Sequence, residues 1–423
     1  MHENFMPPAA DGEVVFQKHV KAVLEAYADG GDAKHMLAAL PQYSPVATTL
    51  GPNAMVARLE HGLRGCITDG LHSGHALQAS VPLWRTNNYV IAVLCACWSH
   101  CTGIPAVFYA DSIDAICSSL LHKRVHVDMG GWEARARRWV SNVSDPGGGK
   151  SPALDPLLSV LREVLADHPE FAPGTEVDNF HVQEGTTHPA AVDRLHATDG
   201  YALIASAEAG PLLCPTWATA GTCDQSKYIN YQRFLDAANG GQVHWETMHD
   251  RGAAKKKAAP PKPRLHMANL TIIFLMQVSR FRQWWAKSED FMTVGLAARF
   301  SMSFAQGGLP GPTTFDEFYK NIVRPFLKKL FAHVLECLGP KTPRGGAVDT
   351  WTWKMAPMLR KFVKNVKTTC FRVKKTSGPT GTCVSAGLSK ADYWVAQVAL
   401  MTSILSRWSL SLFRALARRN RRP

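Results

Sequence analysis

Ser144-Asp145-Pro146-Gly147-Gly148-Gly149-Lys150-Ser151 is the stretch on which the reading of the whole chain turns. A phosphate-binding loop is written as Gly, four residues, then Gly-Lys followed by Ser or Thr. Gly149, Lys150 and Ser151 match, and Ser144 stands where the first Gly is expected. The residue types follow from chemistry. Glycines let successive backbone N–H groups curl around phosphate oxygens. The helix that follows turns its N-terminus toward the same anion. Asp145, Pro146, Gly147, Gly148 and Gly149 are therefore candidates for a cradle around ATP or another nucleoside triphosphate. The Lys150 ammonium would reach the β- and γ-phosphates, and the Ser151 hydroxyl would ligate Mg2+. Pro152 is compatible, because the first helical turn has no N–H bonds to lose. The plainer alternative is a Gly/Pro turn that happens to precede Lys-Ser, and only the flanking elements separate the two.

Those elements have the required types. Arg135–Val143 reads as a short strand entering the turn. In Ser151–Asp167, Leu157, Leu158, Val160, Leu161, Val164 and Leu165 recur at helical spacing. Val177–Val182, the apolar runs Tyr201–Ser206 and Leu270–Met276, and Ala297–Phe304 are further strands, with Ala190–Leu195 helical. Strands alternating with helices predict an α/β fold with a buried parallel sheet. Earlier in the chain, Val14–Tyr27, Gly51–Leu63, Asn88–Ser99 and Ala115–His122 read as helices. This divides the chain into a mainly helical region at 1–130, a core at 131–305 and a basic helical region at 306–423. Loops interrupt the last region at 338–348 and 376–387. Residues 251–264, rich in Lys, Ala and Pro, read as an exposed basic loop within the core.

A hydrolase built on this loop needs a carboxylate at the end of a neighbouring buried strand. Glu208 follows the run Tyr201–Ser206 and is the candidate to polarise water and contact the metal; Glu184 is a second. Ala207 stands where many such strands carry Asp, which puts hydrolysis in doubt more than binding. Gln277, after Leu270–Met276, is placed to sense a γ-phosphate. Arg299 would supply positive charge to a transition state, from its own or a neighbouring subunit. Each of these four also fits an ordinary structural role, the two Glu as solvated loop carboxylates and Arg299 as an Arg that snorkels or pairs.

The net charge of +13 is unevenly spread. Residues 251–423 hold 31 of the 47 basic and 7 of the 34 acidic side chains, a net +24 there against −11 on the remainder. A polyanion is the natural partner of such a region, DNA before RNA, although a solvated surface or an import tract has the same composition. Arg360, Lys361, Lys364 and Lys367 are spaced to form one helical stripe. Lys374, Lys375, Arg418, Arg419, Arg421 and Arg422 are further candidates. Of the ten cysteines, Cys95, Cys97 and Cys101 are grouped, without the paired spacing of a zinc site, and read as reduced, partly buried thiols. The first residues lack a signal-peptide pattern, and no apolar run is long enough to span a bilayer. The expectation is a soluble intracellular protein, nuclear or cytoplasmic.

With these residues in view, the chain resembles a DUF-type family of RecA-like P-loop, primase-helicase-like proteins. That family belongs to phages, plasmids and integrated elements and is akin to DnaB-like helicases. The resemblance rests on SDPGGGKSPALDPLL at 144–158, EGTTHPAAVDRL at 184–195, LIASAEAGPLL at 203–213, and the pair LTIIFLMQ with GLAARFSMSF. GLSKADYWVAQVALMTSIL at 387–405 looks like the family's helical end. It implies a RecA-like ATPase core using ATP and Mg2+, acting on DNA and able to form a homo-oligomeric ring. It gives Lys150 and Ser151 the nucleotide and metal contacts, and Glu208 the place after the Walker B strand. Gln277 takes the sensor position, and Arg299 the arginine of the Gly-Leu-x-x-Arg-Phe block. No primase domain is evident. Two other classes remain: a nucleotide-dependent nucleic-acid adaptor without turnover, to which Ala207 points, and a small-molecule kinase, which lacks an evident acceptor motif.

Overall fold

The computed structural model describes residues 9–29, 88–123, 125–129, 133–169, 181–182, 194–206, 242–243, 265–266, 268–286, 299–309, 315–339, 352–354, 360–361, 363–368, 371, 393–401 and 404–405. The segments at 51–63 and 251–264 lie outside them.

Helix α1 (Ala9–Ala28) covers the expected Val14–Tyr27. Helix α2 (Tyr89–Thr102) starts where the Asn88 side chain accepts the Val90 and Ile91 N–H groups, and stops at Gly103 in the left-handed region. Its stretch Tyr89–Trp98 is apolar and, apart from half-buried Ala96, buried on every side, while His100 in the last turn is exposed. Helix α3 (Ala106–Ser119) begins after Pro105. The sequence pattern predicts a helix at Ala115–His122. The actual start is nine residues earlier, because Asp111, Ser112 and Asp114 are buried despite their polarity.

Strand β3 (Trp139–Ser144) feeds the glycine-rich turn and α4 (Lys150–Asp167). The expected strand Arg135–Val143 is in fact two pieces. Glu133–Arg135 forms β2, which pairs antiparallel with β1 (His126–Asp128), and Ala136–Arg138 bends between β2 and β3. A five-stranded sheet carries the core, in the order β4 (His181–Val182), β5 (Tyr201–Ser206), β8 (Asn269–Gln277), β3, β9 (Phe300–Phe304), with every pairing parallel. The α/β class with a parallel sheet is therefore observed. Strands β6 (Gln242–Val243) and β7 (Leu265–His266) pair antiparallel as a separate two-stranded sheet.

Alternation along the strands sends side chains to two covered faces. Val140, Leu203, Ala205, Ile273 and Leu275 join α2, α3 and α4 in one apolar core. On the other face Phe300 packs against Trp139 and Phe274, and Phe304 against Phe281 of α5 (Val278–Ala286). The side chain of Asn269, at the start of β8, closes the C-terminal end of α3. Its Nδ2 donates to the carbonyls of Ser118, Ser119 and Leu121 at 3.2, 3.3 and 2.9 Å.

The basic region joins this same core. After α6 (Phe315–Phe318) and a π-helical turn at Tyr319–Val323, α7 (Arg324–Leu338) buries Phe326, Leu327, Leu330, Phe331 and Val334. Arg324 forks onto Glu163 of α4 at 2.9 and 3.0 Å, and Lys328 pairs with Asp167 at 2.8 Å. This region also contains a strand that helical reading missed: β10 (Thr352–Lys354) lies parallel to β1. Within residues 393–401, Gln397 Nε2 donates to the carbonyls of Arg135 (3.0 Å) and Arg137, just before β3. Among the described residues, no helix is long and apolar enough to cross a membrane.

Candidate functional site

The strand order has a reversal in it. From β3 the chain crosses two intervening strands to β4, then returns through β5 and β8 and passes over β3 to β9. Right-handed crossovers running in opposite directions from β3 and β8 put α4 and α5 on opposite faces. The packing agrees: α4 lies with Val140 and Ile273, and α5 with Phe304 on the opposite face. Such a reversal opens a crevice at the carboxyl ends of the adjacent strands, the place where open α/β sheets bind ligands. The turn Asp145–Gly149 sits at that crevice.

The turn's shape depends on its glycines. Gly147 and Gly149 have φ of 80° and 77°, the left-handed region. Gly149 is also walled in, since a Cβ there would stand 2.7 Å from Ile104 Cγ1. Gly148 has ordinary φ but no room: a Cβ would fall 1.7 Å from Ser144 Oγ. Ser144, the departure from the loop pattern, is the last residue of β3, without a positive φ. A side chain is tolerated there because the space is made at Gly148 instead.

Lys150 opens α4, and Ser151 is in its first turn. The first N–H groups of a helix lack intrahelical partners and carry its positive end. The Lys150 ammonium folds over the turn and donates to the carbonyls of Ser144 and Asp145, both at 2.8 Å. Partial burial lowers its pKa, and the Asp145 carboxylate partly opposes that. Cationic donor, glycine turn and helix start thus converge on a few ångströms. This set fits an anion with several oxygens, and the Ser151 hydroxyl is a hard oxygen ligand of the kind Mg2+ takes. Among the described residues, no group of three or more His, Cys, Asp or Glu side chains gathers as a ready-made metal site.

Of the other residues singled out in the sequence, Gln277 ends β8 directly beside Ser144, its register partner, at the root of the turn. Arg299 is not brought there. It precedes β9 at the amino end of the sheet, where Phe300 is level with Trp139, the first residue of β3. Five residues of strand, roughly 17 Å, separate that level from Ser144, and the field of Arg299 is felt by Tyr393. Glu208, Ala207 and Glu184 lie outside the described residues. Strand β5 ends at Ser206, pointing to the same edge of the sheet as the turn.

Three contacts at the turn have no signature in the sequence. Ile104, between α2 and α3, walls Gly149. Gln306 Nε2, after β9, donates to Asp145 Oδ2 at 2.6 Å. Gly307 lies against the Gly148 carbonyl. A buried polar line also runs behind β3. Asn142 Nδ2 donates to the Phe108 carbonyl and to Ser112 Oγ, both at 3.4 Å. Ser303 Oγ donates to Asp111, and Arg138 Nη2 lies 3.8 Å from Asp111 Oδ1. Burial raises both Asp111 and Asp114.

A scan against protein-family models and a search of the curated proteins each found no match for this chain.

Proposed function

We propose that this chain is a RecA-like P-loop NTPase that binds ATP with Mg2+ on Asp145–Ser151 and acts on DNA. The observation that carries the reading is the convergence of the Lys150 ammonium, the Gly147–Gly149 turn and the start of α4 at the reversal point of a parallel sheet. One strand, β8, separates the loop-bearing strand from the strand that leads to Glu208. That leaves a γ-phosphate between the loop and the two neighbouring strand ends, with Gln277 on the nearer one.

In this reading the loop N–H groups and Lys150 neutralise charge on the β- and γ-phosphates, and Ser151 holds Mg2+, which supplies Lewis-acid polarisation of the phosphoryl oxygens. Gln277 orients toward the γ-phosphate, and Glu208 positions and polarises the attacking water. Arg299, far from its own loop, serves a neighbour's loop in a homo-oligomeric ring. The DNA surface is formed by the helical residues 360–361 and 363–368. Arg360, Lys361, Lys364 and Lys367 are exposed there, while Val363 and Val366 are buried.

ATP binding and ATPase activity with and without single-stranded DNA, wild type against Lys150→Ala, test the reading. Loss of a charged donor to phosphate is expected to weaken binding by at least about tenfold, equivalent to roughly 1.5–3 kcal/mol. It should also remove DNA-stimulated turnover. Unchanged binding and turnover in the variant overturn it. Ala207 supports a second reading, a nucleotide-dependent nucleic-acid adaptor. Retained ATP binding with turnover near the uncatalysed rate, raised by Ala207→Asp, selects that one.

A further inference from the structure

Three backbone segments meet at the glycine turn: Gly103–Pro105, the turn itself, and Ala305–Leu309. The last starts as a continuation of the β3–β9 ladder, with the Ala305 N–H donating to the Val143 carbonyl at 3.2 Å. It then crosses over the turn. The Gly308 N–H donates to the Gly103 carbonyl at 2.7 Å, and a Cβ on Gly103 would stand 2.2 Å from Gly308 O. A Cβ on Gly307 would lie 3.3 Å from Gly103 O and 3.4 Å from Gly148 O. The crossing is therefore a close backbone stack that glycines permit. Beyond it, Leu309 is 95% exposed.

Within this stack one side-chain hydrogen bond ties the crossing segment to the turn, Gln306 Nε2 to Asp145 Oδ2 at 2.6 Å. Asp145 is in an unusual position. Its backbone carbonyl is held by the Lys150 ammonium, and its carboxylate is the charge that opposes the lowering of the Lys150 pKa. A polyphosphate arriving at the turn draws Lys150 off the Ser144 and Asp145 carbonyls and repels the Asp145 carboxylate. A shift of that carboxylate with its hydrogen bond intact takes Gln306 along.

We propose that Gln306 is a positioning residue for the phosphate loop. Its bond to Asp145 holds the carboxylate aside from the phosphates and transmits the state of the loop to the segment Ala305–Leu309. This rests on the nucleotide reading for its trigger. The Gln306–Asp145 linkage itself rests on the hydrogen bond alone.

Hydrogen exchange on the full chain tests both parts. Without nucleotide, Gln306→Ala is expected to speed exchange at the Gly147–Gly149 amides by about two- to tenfold, the effect of removing one exposed hydrogen bond. Gln306→Glu should do so more strongly, by setting carboxylate against carboxylate. Adding Asp145→Asn to Gln306→Glu should bring the rate back toward wild type, since an amide again faces a carboxylate. With a slowly hydrolysed ATP analogue, protection at residues 305–309 should change in wild type and not in Gln306→Ala. Wild-type loop exchange in nucleotide-free Gln306→Ala, or no recovery in the Glu/Asn pair, overturns the linkage. An equal response of 305–309 to the analogue in both proteins overturns the transmission. If wild type binds no analogue, the nucleotide reading and the transmission fall together, while the nucleotide-free comparison still decides the linkage.

Discussion

Asp114 lies on α3 behind the loop-bearing strand, and its Oδ1 has no hydrogen-bond partner. Burial pushes its carboxyl up to about 7, with Arg138 opposing the rise and the Asp111 charge adding to it. Asp111 faces the same guanidinium and also receives the Ser303 hydroxyl, so it takes the charge, and Asp114 holds the proton. The folded value is above the unfolded one of 3.8, so the native chain keeps a proton that the unfolded chain releases in between. Stability from this group is greatest below about pH 4, falls as pH rises toward 7, and is level above it. Wild type should therefore lose about 1–3 kcal/mol more than Asp114→Asn between pH 5 and pH 8. Denaturant unfolding of the two proteins at both pH values measures this, and identical losses would refute the protonated Asp114.

Helix α3 illustrates how much of an element is written in its own residues. It has no glycine stop and no basic last turn, and its final carbonyls are taken by Asn269 from a strand 148 to 151 residues further on. Asn269→Leu strands those carbonyls in the interior. It should cost about 2–3 kcal/mol in urea unfolding, and a loss under about 0.5 kcal/mol would mean that water takes the amide's place. The same distant closure explains why α3 was misplaced by sequence reading. Its buried polar residues are matched by Arg138, Ser303 and Asn142 on other elements, and no local pattern announces that. Strands β5 and β8 were legible because they are apolar runs covered on both faces, whereas β9 alternates Phe and Met with Ser and is only half-buried. The turn and α4 were legible because glycine conformation and helical periodicity are local properties. Strand β3 was read four residues too early, from Arg135 instead of Trp139: Arg135 ends β2, and Arg137 and Arg138 are buried in the bend between the two strands. Gln277 was legible as the polar end of an apolar run, and the β3–β8 register sets it beside Ser144. Gln306 and Ile104 meet the turn only through the tertiary fold.

Across the whole molecule, the positive charge of the C-terminal part is not all available to a partner. Arg324 and Lys328 are engaged with Glu163 and Asp167. The stripe Arg360, Lys361, Lys364 and Lys367 is exposed on the polar side of its helix. If it holds DNA phosphates, affinity for a single-stranded oligonucleotide falls steeply with salt. Replacing all four by Ala should flatten the slope of log K against log salt by about 3. A slope unchanged by the fourfold replacement would move the contact elsewhere.

Gln397 grips the carbonyls of Arg135 and Arg137, partners 262 and 260 residues earlier in the chain. A ribosome adds roughly 5–20 residues per second, so the entry to β3 waits on the order of tens of seconds for its clasp. During that interval the first strand of the sheet, with the glycine turn at its tip, has been synthesised without its late neighbour. Nascent chains of this protein are thus exposed to a long period of incomplete closure.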